Sequence, residues 1–263
     1  ERMHFTGAPL DLTPKGDAKA LSEAVAGVVL PTGSVRIKDA VQVSALAGYD
    51  AGDWWVQDAA AALPVQILHP QKGEAIIDLC CAPGGKTMQL AASGANVTAV
   101  DSSDRRMQRV RENLERAKLS AELVVGDALE TSGRYDAVLL DAPCSATGTI
   151  RRHPDLPLVK DGSEFGELIE LQAQMLSHAI TLLKPGGRLV FCTCSLLPDE
   201  GECQIEDLLA IHPELEIDRD ALKRDGIEDA WITEEGGLRL RPDYWAEQGG
   251  MDGFYIALLR KPL

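Results

Sequence analysis

From Glu74 onward the chain alternates short apolar runs with longer amphipathic stretches, the signature of βαβ units that build a mostly parallel sheet with helices on its faces. The spacing predicts strands at Ala75–Leu79, Asn96–Val100, Glu122–Val125, Ala137–Leu140 and Arg188–Cys192. Helices are expected at Thr87–Ala92, Ser103–Lys118, Glu164–Leu183 and Asp199–Ile211, with a closing strand at Asp252–Leu259. In Ser103–Lys118, Met107, Val110, Leu114 and Ala117 share one face, and Glu112 stands one turn before Arg116. Lys184-Pro185-Gly186-Gly187 is expected to stop the long helix, because proline removes a donor and glycine permits the turn.

The region before Glu74 reads differently. Glu1 to Gly48 is rich in Gly, Pro, Ala and Val, with one helix expected at Asp17–Ala26 and one strand at Ser34–Ile37. A boundary at Gly48–Asp53 leads into Trp54-Trp55-Val56-Gln57-Asp58 and an alanine-rich helix, Ala59–Leu68, which Pro64 is expected to kink. Residues 1–50 are read as the remnant of a small α+β linker or RNA-binding unit, and 51–263 as a catalytic domain. The chain opens on Glu1 with no basic-then-apolar leader, so the numbering is expected to begin inside a longer protein.

Composition limits the function classes. No apolar run approaches the roughly 18 residues of a membrane span, so a soluble, cytoplasmic protein is expected. Six cysteines without a secretory signal imply reduced thiols, available for catalysis or simply buried. A formal net charge of -15 argues against a nonspecific nucleic-acid coat but leaves room for a local basic patch. Nothing calls for an obligate partner, and a monomer is expected.

The chemistry gathers where strands end. Ala75–Leu79 runs into Cys80-Cys81-Ala82-Pro83-Gly84-Gly85-Lys86, a glycine turn that lets a ligand approach the backbone ahead of a helix N-terminus. Its spacing matches neither the dinucleotide fingerprint nor the P-loop, although Gly85-Lys86-Thr87 imitates the end of the latter. Asp101 ends the next strand, where a carboxylate can hold ribose hydroxyls or cap the following helix. Asp127 and Asp141 end two further runs, so three carboxylates share the edge where ligands of such sheets bind.

Asp141-Ala142-Pro143-Cys144 precedes Ser145-Ala146-Thr147-Gly148 and then Arg151-Arg152-His153-Pro154, a loop whose arginines suit phosphate or form a plain polar surface. The strand after it ends in Thr193-Cys194-Ser195, so Cys144 and Cys194 would face one another across one cleft. Cys80, Cys81, Cys192 and Cys194 lack the usual spacing of a zinc site, and no metal is expected. Cys192 and Cys203 are read as core, and His69, His178 and His212 as structural.

Together these motifs resemble the RNA cytosine-5 methyltransferases of the Sun (Fmu) type, nearest the bacterial 16S ribosomal RNA branch, from about Trp54 to Arg260. Val56-Gln57-Asp58, Asp78 to Lys86, Asp141 to Gly148, Arg151 to Asp155, Thr193-Cys194-Ser195 and Asp252-Gly253-Phe254 carry the likeness. Ala60 departs from the serine often found there. Bacterial members usually carry a NusB-like helical RNA-binding domain at the N-terminus, which this sequence does not contain, and what precedes Trp54 is similar to the end of their linker domain.

The resemblance implies a Rossmann-like methyltransferase sheet of seven strands with the last antiparallel, and S-adenosyl-L-methionine as cofactor. It implies that Cys80 to Lys86 wrap the cofactor's methionine end, that Asp101 holds the ribose, and that Asp127 and Asp141 lie near the adenine and the target base. By resemblance Cys194 attacks C6 of cytosine, Asp141 assists at N3, and Cys144 helps release the product. DNA cytosine-5 methyltransferases take their nucleophile from a Pro-Cys pair, here Pro143-Cys144, so the opposite order of thiols stays open. The substrate implied is RNA, 16S rRNA first and tRNA second. A small-molecule or protein methyltransferase and a non-catalytic RNA-binding assembly factor are the remaining readings.

Overall fold

A computed structural model describes residues 7–39 and 41–263. Residues 1–6 and 40, part of the expected N-terminal unit, lie outside the described residues.

The N-terminal unit is a four-stranded antiparallel sheet built from β1 (Leu10–Pro14), β2 (Val28–Val29), β3 (Val35–Ile37) and β4 (Trp54–Val56), in the order β2-β3-β1-β4. Helix α1 (Ala18–Ala24) packs on it, capped by Asp17, whose side chain accepts from the Lys19 amide. The core of this unit is Leu12, Leu21, Val25, Val35, Ile37 and Trp54. Trp54–Val56 therefore completes the small sheet, beyond the expected division at residue 50, because Trp54 fills this core while Trp55 packs with Met88 and Val110 of the larger unit.

Helix α2 (Ala59–Leu68) has the predicted bounds and continues over Pro64. Asp58 caps it by accepting from the Ala60 amide, and Ala60 is fully buried. Next come β5 (Ala75–Leu79), α3 (Gly85–Ala92), β6 (Asn96–Asp101), α4 (Asp104–Ala117), β7 (Glu122–Val125) and β8 (Tyr135–Asp141). A short α5 (Leu156–Val159) and the long α6 (Phe165–Thr181) lead to β9 (Leu183–Thr193). Then follow α7 (Glu202–Ile211), β10 (Glu216–Ile217), β11 (Leu238–Leu240) and β12 (Phe254–Arg260).

The large sheet runs β10-β12-β9-β8-β5-β6-β7, with β9 to β7 parallel and β12 antiparallel to β9. Seven is the number the resemblance implies, although β10 has no counterpart among the strands predicted from the sequence; an eighth, β11, shares the far edge of β12 with β10. Alternate strand residues feed opposite faces. Ile77, Leu79, Val138 and Leu140 meet α6 and α7, whereas Ile76, Ala137 and Leu139 meet α2. On α4 the buried residues are the predicted Met107, Val110, Leu114 and Ala117.

Two local expectations differ. The long helix ends at Thr181, ahead of Lys184-Pro185-Gly186-Gly187, and that segment enters β9 through Gly186, whose φ is +73°. The next helix begins at Glu202 rather than Asp199, because Pro198–Glu200 forms a separate 3-10 turn. Among the described residues, no helix is long and apolar enough to cross a membrane.

Candidate active site

Strands β5 and β8 are neighbours whose following helices lie on opposite faces, and such a divergence opens a crevice at the carboxyl ends of the strands. β5 delivers the turn Cys80 to Lys86, shaped by positive φ at Cys80 (+63°) and Gly84 (+102°). A Cβ on Gly84 would lie 3.2 Å from Val110 on α4, so both conformation and space favour glycine. The N-terminus of α3 has no side-chain cap, which leaves first-turn amides open toward the turn.

Asp78 lies fully buried beneath that turn. Its Oδ2 accepts from Thr87 Oγ1 at 2.6 Å, while Oδ1 has no protein partner. Burial pushes this carboxyl up to about 7, opposed by the Thr87 bond and reinforced by Asp141. Burial also pushes the Cys80 thiol up to about 12 and raises that of Cys81, so neither is a ready nucleophile.

Asp101, at the end of β6, joins the turn to α4 by accepting from the amides of Ala82 (3.2 Å) and Ser103 (3.0 Å). Ser103 itself caps α4. Arg106 lies 3.5 Å from Asp101 and donates to the Ala82 carbonyl. Asp127 caps the single turn Ala128–Glu130 through the Leu129 amide.

Cys144 follows β8, Cys194 follows β9, and their sulfurs stand 3.5 Å apart. Beside them Lys86 Nζ donates to Asp141 Oδ2 at 2.7 Å and lies 5.3 Å from the centre of the Phe254 ring. Cys192 Sγ donates to Asp141 Oδ1 at 3.4 Å, so this residue, expected to be plain core, touches the site. Burial alone would lower the Lys86 pKa, but the charge of Asp141 and the hydrogen bond to it raise it above its ordinary value. Lys86, expected only at the cofactor, is thereby a charged member of the thiol site. The hydrogen bond with Cys194 and then burial raise Cys144 well above the usual thiol range, so Cys144 keeps its proton.

The cleft in front of the thiols holds 1310 Å³ and passes between the two units, lined by Trp54, Pro83, Lys86, Asp141, Cys194 and Phe254 among others. Asp101 and Asp127 stand outside its lining.

Arg151 corrects the expectation of a phosphate contact. Its side chain is fully buried, donating to Asp58 Oδ2 at 2.7 Å and to the Gly249 carbonyl at 2.5 Å, with Asp252 3.8 Å away. The guanidinium is consumed in joining the start of α2 to the segment before β12. Arg152 is the arginine with an exposed portion, although it also pairs with Asp252 at 2.6 Å. The sequence did not single out Arg36, which is buried, pairs with Asp11, and donates to the carbonyls of Gln248 and Gly250. Two buried arginines thus hold three successive carbonyls just before Asp252-Gly253-Phe254.

A sequence profile of the 16S rRNA methyltransferase RsmB/F family matches residues 65–260. Ribosomal RNA small subunit methyltransferase B of Cronobacter sakazakii is 43% identical over 235 residues, covering 87% of this chain and 52% of that protein. Its counterpart in Yersinia pseudotuberculosis is 46% identical over 191 residues, covering 70% and 44%. The chain spans about half the length of the curated relatives it matches. Among solved structures, a methyltransferase homologue from Pyrococcus horikoshii superposes with a TM-score of 0.82 at 25% identity, covering 99% of this chain and 88% of that one. NSun6 from the same organism, crystallised with SFG, gives 0.70 at 26% identity over 84% and 56%. With a profile match over most of its length and a Rossmann-like sheet, the chain belongs to the 16S rRNA methyltransferase RsmB/F family.

Proposed function

We propose that this chain methylates C5 of a cytosine in 16S rRNA, with S-adenosyl-L-methionine as methyl donor and a covalent bond between Cys194 and C6. The observation that carries the reading is the pair of thiols 3.5 Å apart beside the Lys86–Asp141 ion pair, at the carboxyl edge of a methyltransferase sheet. The residues at the turn fit the cofactor. The uncapped α3 offers amides to a carboxylate, and Asp78 Oδ1, buried and unpartnered, offers an acceptor to an ammonium. Cys80 to Lys86 would hold the methionine end, Asp101 the ribose, and Asp127 the adenine edge. When bound, the cofactor supplies an electrophilic methyl group.

Cytosine C5 is a weak nucleophile, so the chain must first raise its electron density. The Cys194 thiolate forms a bond to C6, the C5–C6 π electrons move toward C5 and the ring, and the ring takes up a proton at N3. The Lys86–Asp141 pair holds that proton and faces the same cleft as Cys194. Once C5 is methylated, a base must remove the C5 proton, so that the C5–C6 double bond re-forms and the bond to Cys194 breaks. Cys144, adjacent to Cys194, takes this second role once its own proton has passed to solvent in the cleft; its thiolate accepts the C5 proton, N3 returns its proton to the Lys86–Asp141 pair, and the electrons of the C6–S bond leave with Cys194 as thiolate. Exposed Arg152 is the phosphate contact in this reading.

Labelled S-adenosylmethionine with unmodified 16S RNA, naked and in assembling small subunits, tests the proposal, with 5-methylcytosine mapped by bisulfite sequencing. A single methylated cytosine, lost in Cys194→Ala, is expected. Methylation of tRNA instead of 16S RNA would change the substrate, and label in protein would overturn the reading.

A further inference from the structure

Glu200 is a fully buried carboxylate in a turn where the sequence pattern suggested an ordinary helix start. Its side-chain partners are neutral. Oε1 accepts from the Ser145 amide at 2.9 Å and from Gln172 Nε2 at 3.1 Å, and Oε2 accepts from Ser145 Oγ at 2.5 Å. Burying a carboxylate among neutral donors costs free energy unless its geometry is well satisfied, so the arrangement requires a physical reason.

The reason lies in what these bonds flank. Gln172 Nε2 also donates to the Pro143 carbonyl at 2.8 Å. The Pro143 carbonyl and the Ser145 amide are the backbone groups on either side of Cys144; Gln172 holds the first and Glu200 the second. The same glutamate reaches the other thiol. Its backbone carbonyl accepts from Thr193 Oγ1 at 2.8 Å, one residue before Cys194, and Ser145 Oγ lies 3.2 Å from Ser195 Oγ, one residue after it. One buried residue therefore ties together the chain segments on which both sulfurs are mounted, and charge-assisted bonds make the tie stiff.

We infer that Glu200, with Gln172, is the positioning residue that holds Cys144 against Cys194, and that it governs release of the methylated base rather than formation of the covalent adduct. The release role rests on the proposed methyl transfer, while the positioning does not.

Two measurements on the full chain test this. In the first, iodoacetamide is added without RNA and alkylation of Cys144 and Cys194 is timed by peptide mass spectrometry. Glu200→Gln is expected to speed alkylation of Cys144 about fivefold or more while Cys194 changes less, because a released thiol is more accessible. Gln172→Leu, which frees the Pro143 carbonyl and spares the carboxylate, is expected to act in the same direction. Unchanged Cys144 reactivity in both variants overturns the positioning.

In the second, single-turnover and steady-state methylation are compared. Glu200→Gln is expected to keep the first methyl transfer and the KM for RNA, to lower kcat about tenfold, and to accumulate a protein–RNA adduct stable to denaturation. A merely structural role would depress adduct formation and release together, and that result overturns the release role. Wild-type chain that forms no adduct overturns the proposed function and the release role with it, and leaves the alkylation result to decide the positioning.

Discussion

The amide of Gly253 donates to the carbonyl of Gly148 at 2.8 Å, and the two backbones meet with no room for a side chain between them. This contact joins the loop after Cys144 to the segment that places Phe254 over Lys86. Gly148 also donates to the carbonyl of Cys194 at 2.9 Å, so one glycine holds the backbone of the proposed nucleophile.

A Cβ at position 148 would fall 2.0 Å from the Gly253 carbonyl oxygen and 2.9 Å from that of Cys194. Gly148→Ala is therefore expected to cost about 1–3 kcal/mol or more by forced displacement of backbone. Activity should fall further than stability does, because the displaced atoms carry Cys194. Thermal melting and methyl transfer measured on the same preparation check both.

Arg151 and Arg152 should separate in their effects although they are adjacent. Arg151→Met leaves the buried Asp58 without its cation, and loss of about 3–5 kcal/mol is expected. Arg152→Ala takes the nearest cation from the buried Asp252 but leaves Arg151 3.8 Å from it, so a smaller loss of stability is expected, and it should in addition raise the KM for RNA and flatten its salt dependence. Urea unfolding and salt-dependent RNA binding distinguish the two.

Asp78 gives the stability a pH dependence. Its folded pKa, about 7, lies above the ordinary carboxylate value because of burial, so the folded chain binds this proton more tightly than the unfolded chain does. Stability from this group is full below the ordinary value of 3.8 and is lost as pH rises through about 7. Asp78→Asn should raise Tm more at pH 8 than at pH 5 relative to wild type. An equal change at both pH values would contradict the assignment.

The strand and helix pattern was legible where burial on both faces forced short apolar runs, as at Ala75–Leu79, and where one face had to be apolar, as on α4. β1 was not, because Leu10–Pro14 mixes an aspartate and a proline into the strand, and its Asp11 is explained by Arg36 from another strand and by the Ala59 amide. The thiols were legible because each follows a strand end. Glu200 and Arg151 were not, since an acid near a helix start and an arginine pair in a loop normally face water. Only the tertiary fold brings Ser145 and Gln172 to the first and Asp58 and Asp252 to the second.

Trapping the covalent species shows which sulfur attacks. RNA carrying 5-fluorocytosine blocks the elimination step and traps the covalent species, so denaturing electrophoresis of wild type, Cys194→Ala and Cys144→Ala with S-adenosylmethionine reads the nucleophile directly. An adduct is expected in wild type and in Cys144→Ala and none in Cys194→Ala. An adduct that survives Cys194→Ala and disappears in Cys144→Ala would contradict this assignment and reverse the roles of the two thiols.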